Sequence, residues 1–418
     1  MSHHAPGAQE HSNEGFAPPR GAHPGATRGP IPAARLAGLG TTIFAEMSAL
    51  ALATGSVNLG QGFPDTDGPA SVAQAAARAV LEGRGNQYPP GIGIPELRHA
   101  VADHQRDWYG LDYNPDTEVL ITAGATEAIA AALLGLVNPG DEVIAFEPYY
   151  DSYVACIAMA GGVRVPATLQ SPTPEQPRWH PDLDALAASI TGRTRVLLLN
   201  SPHNPTGMVL SAQESRRLAE LAVRHDLIVI TDEVYEHLVF EGEHVSMAAL
   251  PGMRERTVVI SSGAKTFSFT GWKIGWVTST PELVAAVRGA KQFLTYVNGG
   301  PFQYAIAEAL RLPREYYTDL RDDLRARRDL LAAGLAEIGF GVSATEGSYF
   351  ITTDIRPLGE DDGLAFCRAL PERAGVVAIP SVVFYDDKKA GSPFVRFTFC
   401  KKTEVLRQAL DRLAALNK

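Results

Sequence analysis

The amino-acid sequence predicts an α/β protein: a large domain with a mostly parallel β-sheet flanked by helices, plus a smaller αβ domain. A chain of 418 residues favours one large core and one smaller core over a single small domain. Short apolar runs without in/out alternation predict strands that are buried on both faces of a sheet. Helix-like stretches separate these runs, and Gly/Pro-rich turns such as NPGD (138–141) punctuate them.

The elements of the large domain follow from local patterns. The candidate strands are EVLIT (118–122), EVIAF (142–146), RVLLL (195–199), LIVITD (227–232) and TVVIS (257–261). The helix-like segment ATEAIAAALLGLV (125–137) follows the first of them. Strands and helices in this order are typical of a parallel sheet.

A long helical stretch is predicted after Pro301, through YAIAEAL and the charged segment that ends near Gly339. Its charges are interpreted as a solvated helix face. The strand candidates SYFIT (348–352) and VRFTF (395–399) and the amphipathic helix TEVLRQALDRLAAL (403–416) follow. These elements predict the smaller domain.

The predicted domain boundaries follow from composition. Residues 1–34 are rich in Gly, Pro, Ala and His, and they cannot bury enough apolar surface to offset the entropy of ordering. We therefore expect a disordered tail there. Residues 35–80 are expected to contribute to the small domain, residues 81–310 to form the large cofactor-binding domain, and residues 311–418 to complete the small domain.

Composition also limits the possible partners. The net charge of −10 argues against a nucleic-acid partner, which requires a basic face. The sequence contains no run of membrane-spanning length, and its start has no apolar signal core. Three separated cysteines predict free thiols in a reducing cytoplasm, and the spacing of the histidines predicts no metal site. Small molecules and copies of the same chain are the expected partners.

The segment SSGAKTFSFTGWKIGW (261–276) holds two lysines, Lys265 and Lys273, among small, hydroxyl and aromatic residues. An amine in such surroundings loses its proton more readily, which a Schiff-base lysine requires. Two solvated lysines beside a turn are the alternative interpretation.

Polar side chains follow two of the predicted strands. Asp232 ends the run LIVITD, where the carboxyl end of a parallel strand opens into a ligand crevice, and Tyr235 follows three residues later. A carboxylate there can hold a protonated ring nitrogen, and a helix N-cap is the alternative. Asn204 lies in the rigid turn NSPHNPTG (200–207), from which amide side chains can point inward.

Two further segments predict anion binding. Gly124, Ala125 and Thr126 come between a strand and a helix, where backbone N–H groups can hold a phosphate or merely allow close packing. Arg396 lies within the strand VRFTF, and a buried guanidinium there needs a carboxylate partner. A substrate or an internal salt bridge can supply that carboxylate.

The order and spacing of these motifs resemble the class I aminotransferases of fold type I, which use pyridoxal 5′-phosphate (PLP). The resemblance runs from about residue 36 to the C-terminus and rests on NLGQGFPD, NQYPPGIGIPELR, GATEAI, EPYYDSY, NSPHNPTG, TDEVYEHL, SSGAKTFSFTGWKIGW, GSYF and VRFTFCK. Within the class, the sequence is similar to the kynurenine/methionine aminotransferases and to the actinobacterial N-succinyldiaminopimelate aminotransferases.

The resemblance implies a role for each matching residue. Lys265 would carry PLP as a Schiff base and move the proton, with Asp232 on the pyridine nitrogen and Tyr235 and Asn204 on the phenolic oxygen. The other implied cofactor residues are Tyr150 on the ring face, Gly124, Ala125, Thr126, Ser262 and Lys273 at the phosphate, and Tyr88 at the phosphate of the neighbouring subunit. Gly62, Asn204 and Arg396 would bind the substrate carboxylate. The resemblance also suggests a cis Asn204–Pro205 bond and a homodimer with shared active sites.

The expected reaction moves an amino group from an L-amino acid to a 2-oxo acid such as 2-oxoglutarate. N-succinyl-LL-2,6-diaminopimelate is the favoured donor, although Phe63, Tyr150 and Tyr349 would suit kynurenine or methionine. A β-lyase that acts on cysteine conjugates would use the same lysine and stays open. A dinucleotide-binding oxidoreductase lacks its motif, because GIGIPE (91–96) has no third glycine and follows no strand. A regulatory protein would need a DNA-binding module, for which the tail is too short.

Overall fold

The computed structural model describes residues 33–40 and 42–417. The predicted disordered tail (1–34) therefore lies almost wholly outside the described residues. The α-helices are α1 (Ile43–Thr54), α2 (Ala70–Leu81), α3 (Pro95–Tyr109), α4 (Gly124–Leu136), α5 (Asp151–Met159), α6 (Leu183–Ser189), α7 (Ala212–Arg224), α8 (Gly263–Thr266), α9 (Pro281–Lys291), α10 (Gly300–Ala309), α11 (Arg314–Ile338), α12 (Gly363–Ala374), α13 (Lys388–Gly391) and α14 (Thr403–Leu413).

The strands belong to one large sheet and two smaller ones. They are β1 (Val57–Asn58), β2 (Val119–Thr122), β3 (Glu142–Glu147), β4 (Val163–Gln170), β5 (His180–Pro181), β6 (Thr194–Asn200), β7 (Ile228–Asp232), β8 (Thr257–Ser262), β9 (Gly275–Thr278), β10 (Gly341–Val342), β11 (Phe350–Asp354), β12 (Val376–Val377), β13 (Ile379–Pro380) and β14 (Phe394–Thr398).

The large sheet has the strand order β2-β9-β8-β7-β6-β3-β4-β5. Strands β8, β7, β6, β3 and β4 are parallel neighbours, whereas β9 runs antiparallel to both β2 and β8, and β5 runs antiparallel to β4. The five predicted strands correspond to β2, β3, β6, β7 and β8, which are buried over nearly all their length. The prediction of a mostly parallel sheet flanked by helices is confirmed.

The smaller αβ unit is built on the antiparallel sheet β10-β11-β14-β13. The N-terminal segment joins this unit, because β1 pairs with β12 and places Val57 opposite Val376. Met47 of α1 is buried in the same hydrophobic cluster as Phe366 of α12. The exact domain boundaries at residues 80/81 and 310/311 stay predictions.

The long helical stretch after Pro301 differs from its prediction, because it is two helices rather than one. Helix α10 ends at Ala309, and α11 begins at Arg314 directly after Pro313. Proline has no backbone N–H, so it breaks a helix interior but suits a helix start. Helix α11 then continues to Ile338 and ends at Gly339, whose φ of 107° is accessible to glycine.

The topology brings several chain segments to one place. The carboxyl ends of the parallel strands β6, β7 and β8 lie at the same edge of the large sheet, beside the N-terminus of α4. Arg396 of β14 reaches this edge from the small domain. Among the described residues, no helix is long and apolar enough to cross a membrane.

Candidate active site

A cavity of about 340 Å³ lies between the carboxyl edge of the large sheet and the small domain. Its lining includes every candidate site residue except Tyr88. These residues are Gly62, Gly124, Ala125, Thr126, Tyr150, Asn204, Asp232, Tyr235, Ser262, Lys265, Lys273 and Arg396. Residues from seven separate stretches of sequence thus share one cavity.

Lys265 lies in the single turn of α8, which begins immediately after β8 ends at Ser262. Its Nζ is 3.5 Å from the carbonyl oxygen of Gly62, and the side chain lines the cavity. The surrounding protein removes hydration from the ammonium group, and this burial lowers the pKa of Lys265 to about 8. A neutral amine, the form that attacks a carbonyl carbon, is therefore accessible near neutral pH.

Asp232 ends β7 and is buried. Burial raises the pKa of its carboxyl to about 6, and a hydrogen bond from the Tyr153 hydroxyl to Oδ2, at 2.8 Å, opposes that rise. The chain after Asp232 forms turns rather than an α-helix, so a helix N-cap does not account for the residue. The carboxylate instead faces the cavity, where a positively charged ring nitrogen would satisfy it.

The sequence analysis missed two residues that hold this wall of the cavity. Asn200 ends β6 opposite Asp232; its Nδ2 donates to the Asp232 carbonyl, and its Oδ1 accepts from the Asn204 backbone N–H, both at 2.7 Å. The strand-end argument used for Asp232 applies equally to Asn200. Tyr153 lies three residues after Tyr150 on α5, but its distance from Asp232 in sequence concealed their contact. The Asn204–Pro205 bond is cis, as predicted.

Arg396 of β14 is buried among aromatic rings, and its guanidinium carbon is 4.1 Å from the centre of the Phe350 ring. Its two terminal nitrogens donate to the Asn204 Oδ1 and to the Gly60 carbonyl, each at 2.8 Å. Within the described part of the chain, Nε has no hydrogen-bond partner, and no carboxylate lies within 4.0 Å of the guanidinium. The internal salt bridge is therefore absent there, and a ligand carboxylate can fill that place.

The N-terminus of α4 forms one end of the cavity. A Cβ added to Gly124 would lie 3.2 Å from the Lys273 Nζ, and one added to Gly275 would lie 2.6 Å from the Gly124 carbonyl carbon. These glycines let β9, the helix start and the lysine approach closely. Backbone N–H groups beside an ammonium group form a binding site for a phosphate dianion.

Tyr88 lies outside the cavity on the surface of the single chain. The residue is 82% exposed, and its ring packs edge-on against Tyr296 at 5.7 Å between centroids. This position neither brings Tyr88 to the other candidate residues nor tests its predicted role at a neighbouring subunit.

The donor set fits PLP at each of its functional groups. The lysine amine matches the aldehyde, the buried carboxylate matches the ring nitrogen, and the α4 terminus with Lys273 matches the phosphate. Tyr150 and Tyr235 lie beside these groups, and Tyr235 is buried in the same wall. Arg396 lines the cavity and has no carboxylate partner among the described residues, so its guanidinium can bind a substrate carboxylate beyond the cofactor.

Residues 54–413 match the family described as aminotransferase class I and II. The chain belongs to this aminotransferase family. The predicted class I, fold-type I aminotransferase is thereby confirmed, together with PLP as its cofactor. The oxidoreductase and regulatory alternatives are wrong.

Individual aminotransferases are similar over nearly the whole chain. A probable N-succinyldiaminopimelate aminotransferase of Mycobacterium tuberculosis is 54% identical over 91% of this chain and 98% of its own length. The methionine aminotransferase of Escherichia coli is 40% identical over 92% of this chain and 98% of its own. The solved structure of the M. tuberculosis N-succinyldiaminopimelate aminotransferase has a TM-score of 0.89 and 55% identity, and covers 92% of this chain and 99% of that one.

Proposed function

We propose that this aminotransferase transfers the amino group of N-succinyl-LL-2,6-diaminopimelate to a 2-oxo acid such as 2-oxoglutarate, in lysine biosynthesis. The buried Arg396 with its unfilled carboxylate position supports an α-amino-acid donor. The succinylated substrate is supported by the 54% identical relative that carries this activity in its name.

The proposed catalytic residues are Lys265, Asp232 and Tyr235. PLP, when bound, accepts the electron pair released as the Cα–H bond of the amino acid breaks. Lys265 would hold the cofactor covalently until the substrate amine displaces it. Its freed neutral amine would then take up the Cα proton, for which its lowered pKa prepares it. Asp232 would hold the ring nitrogen in its protonated form, because a buried carboxylate without a cation is destabilised.

The remaining proposed contacts divide between cofactor and substrate. Tyr150 would stack on the ring, and Tyr235 and Asn204 would donate to its phenolic oxygen. The phosphate would be held by Gly124, Ala125, Thr126, Ser262 and Lys273. Gly62, Asn204 and Arg396 bind the substrate carboxylate, and Asn204 already contacts Arg396 at 2.8 Å.

We further propose that the enzyme works in the cytoplasm as a homodimer with shared active sites. Tyr88, Phe293 and Tyr296 are large side chains that are between about half and almost fully exposed in the single chain. A partner subunit would cover this apolar surface and receive the Tyr88 hydroxyl at its phosphate site.

A substrate panel tests the donor. With 2-oxoglutarate as acceptor, kcat/KM is measured for N-succinyldiaminopimelate, methionine, kynurenine, glutamine and a cysteine conjugate. We expect the succinylated donor to be preferred by at least tenfold. A higher kcat/KM for methionine or kynurenine would overturn this substrate but not the aminotransferase.

A second candidate substrate class is favoured by the aromatic lining of the cavity. Phe44, Phe63 and Phe350 line it and would suit an apolar distal group such as that of methionine or kynurenine. Pyruvate release from the cysteine conjugate in the absence of a 2-oxo acid would instead indicate the lyase reaction. The same panel therefore separates all three possibilities.

A further inference from the structure

A buried cluster of nitrogen and carboxylate donors lies behind the wall that carries Asp232 and Tyr235. Its members are His104 of α3 and the consecutive residues Glu236 and His237, and one potential ligand atom of each lies within 4.8 Å of those of the others. The two imidazoles meet through their Nε2 atoms at 2.8 Å. We propose that His104, Glu236 and His237 form a binding site for one divalent transition-metal ion such as Zn²⁺.

The two imidazoles suit a metal. Both rings are buried, and the hydrogen bond between their Nε2 atoms requires that one of these two nitrogens be unprotonated. Neutral imidazole is the form that binds metal ions. Two imidazoles and one carboxylate match the preference of Zn²⁺ for nitrogen and oxygen ligands.

Glu236 is the carboxylate available for the charge of the ion. Its neighbour Glu233 is already paired with His244 at 2.8 Å. The oxygens of Glu236 accept hydrogen bonds from the Tyr109 and Ser261 hydroxyls, both at 2.5 Å. These bonds orient the carboxylate and still leave lone pairs for a metal, as outer hydrogen bonds do in metal sites.

Metal binding requires the two rings to turn towards a common point and to separate slightly. Two nitrogens on a tetrahedral zinc ion lie about 3.4 Å apart, since each zinc–nitrogen bond is about 2.0–2.1 Å. The imidazoles must therefore part by roughly half an ångström from their hydrogen-bonded distance. A metal on Nε2 also requires that neither Nε2 carry a proton. If His104 is the donor of the hydrogen bond between the two rings, its proton must move to Nδ1, a buried atom that has no hydrogen-bond partner among the described residues.

One member of the cluster borders a surface cleft. His104 lines a surface cleft together with Trp108, Tyr317 and Arg314. The Arg314 guanidinium lies 4.3 Å from the Trp108 ring centre, and its charge opposes a cation at His104. Glu236 offsets that charge, so Arg314 weakens the site without abolishing it.

The test uses the full-length PLP-bound enzyme after removal of metals with a chelator. Zinc uptake is measured by equilibrium dialysis and elemental analysis, and Tm is followed with and without ZnCl₂. We expect the wild type to bind one zinc ion per chain and to show a higher Tm with ZnCl₂. His104→Gln and His237→Gln should lose both the zinc uptake and the increase in Tm. The matched control is His225→Gln at the exposed end of α7, which should keep both the zinc uptake and the increase in Tm. Arg314→Gln should bind zinc more tightly.

Two results would overturn the proposal. One is equal zinc uptake and an equal Tm shift in wild type, His104→Gln and His237→Gln. The other, which keeps the test valid if these variants do not fold, is a Co²⁺ complex of the wild-type enzyme without the visible bands of tetrahedral nitrogen and oxygen coordination.

Discussion

At the residue scale, the side chain with the largest consequence is Lys265. We expect Lys265→Ala to abolish multiple turnover and the visible absorbance of the lysine–cofactor Schiff base, while weak PLP binding remains. Sustained turnover by the purified variant would contradict the proposed role.

The lowered pKa of Lys265 predicts a pH dependence. With a pKa of about 8, roughly one Lys265 amine in ten is neutral at pH 7, whereas an ordinary lysine is neutral in fewer than about one in a thousand. Only the neutral amine attacks the aldehyde, so the rate of PLP incorporation into the apoenzyme should rise with pH and level off above about 8. Stopped-flow absorbance measures this rate, and a midpoint near 10.5 would refute the perturbed lysine.

Asp232 and Tyr153 form a pair whose effects can be separated. Asp232→Ala should lower kcat by several powers of ten, because an unprotonated pyridine is a poor electron sink. Tyr153→Phe removes the hydrogen bond that favours the charged carboxylate, so the pKa of Asp232 should rise further from about 6.

The signature of Tyr153 as a positioning residue is a shift in the pH profile. We expect the acidic limb of PLP binding by the apoenzyme to move to higher pH in Tyr153→Phe, with roughly a tenfold loss of affinity near pH 6. Tyr304→Phe, outside the cavity lining, is the matched control and should leave the profile unchanged. A uniform loss at every pH would indicate a packing defect in place of the proposed electrostatic role.

At the scale of elements, the phosphate end of the cavity depends on close contact between β9 and α4. A Cβ at residue 275 would lie 2.6 Å from the Gly124 carbonyl carbon, so Gly275→Ala must displace the helix start. We expect the dissociation constant of PLP to rise by about tenfold or more, equivalent to about 1.4 kcal/mol. Spectrophotometric titration of the apoenzyme measures it.

Gly289→Ala is the matched control for this element, because residue 289 lies within α9 and an added Cβ there meets no atom within 4 Å. Alanine should stabilise that helix slightly and leave PLP affinity unchanged. Equal affinities for PLP in both variants and wild type would show that the α4 terminus does not hold the phosphate.

At the scale of the whole molecule, the proposed dimer makes activity depend on assembly. If Tyr88 serves the neighbouring phosphate site, Tyr88→Phe should weaken PLP binding without dissociating the dimer. Monomers obtained by dilution should be inactive. Analytical ultracentrifugation combined with activity assays tests this, and a stable monomer with full activity would rule out shared sites.

Local sequence patterns were enough to predict the helices, the strands and the residues at their ends. Apolar runs such as LIVITD predicted buried strands, because burial on both faces leaves no polar positions. The end of that run placed Asp232 at the ligand edge, and family motifs supplied the candidates that line the cavity. The break before Arg314 was readable from Pro313 but was missed in a stretch of otherwise strong helix formers.

Contacts between side chains that are distant in sequence became known from the folded structure. The Tyr153 hydroxyl contacts Asp232 across 79 residues of sequence, and His104 meets His237 across 133. Periodicity reports which face of an element is buried, but not which element covers that face. The pKa values of Lys265 and Asp232 likewise depend on burial by several segments, because desolvation is set by everything packed around a charge and not by its neighbours in the chain.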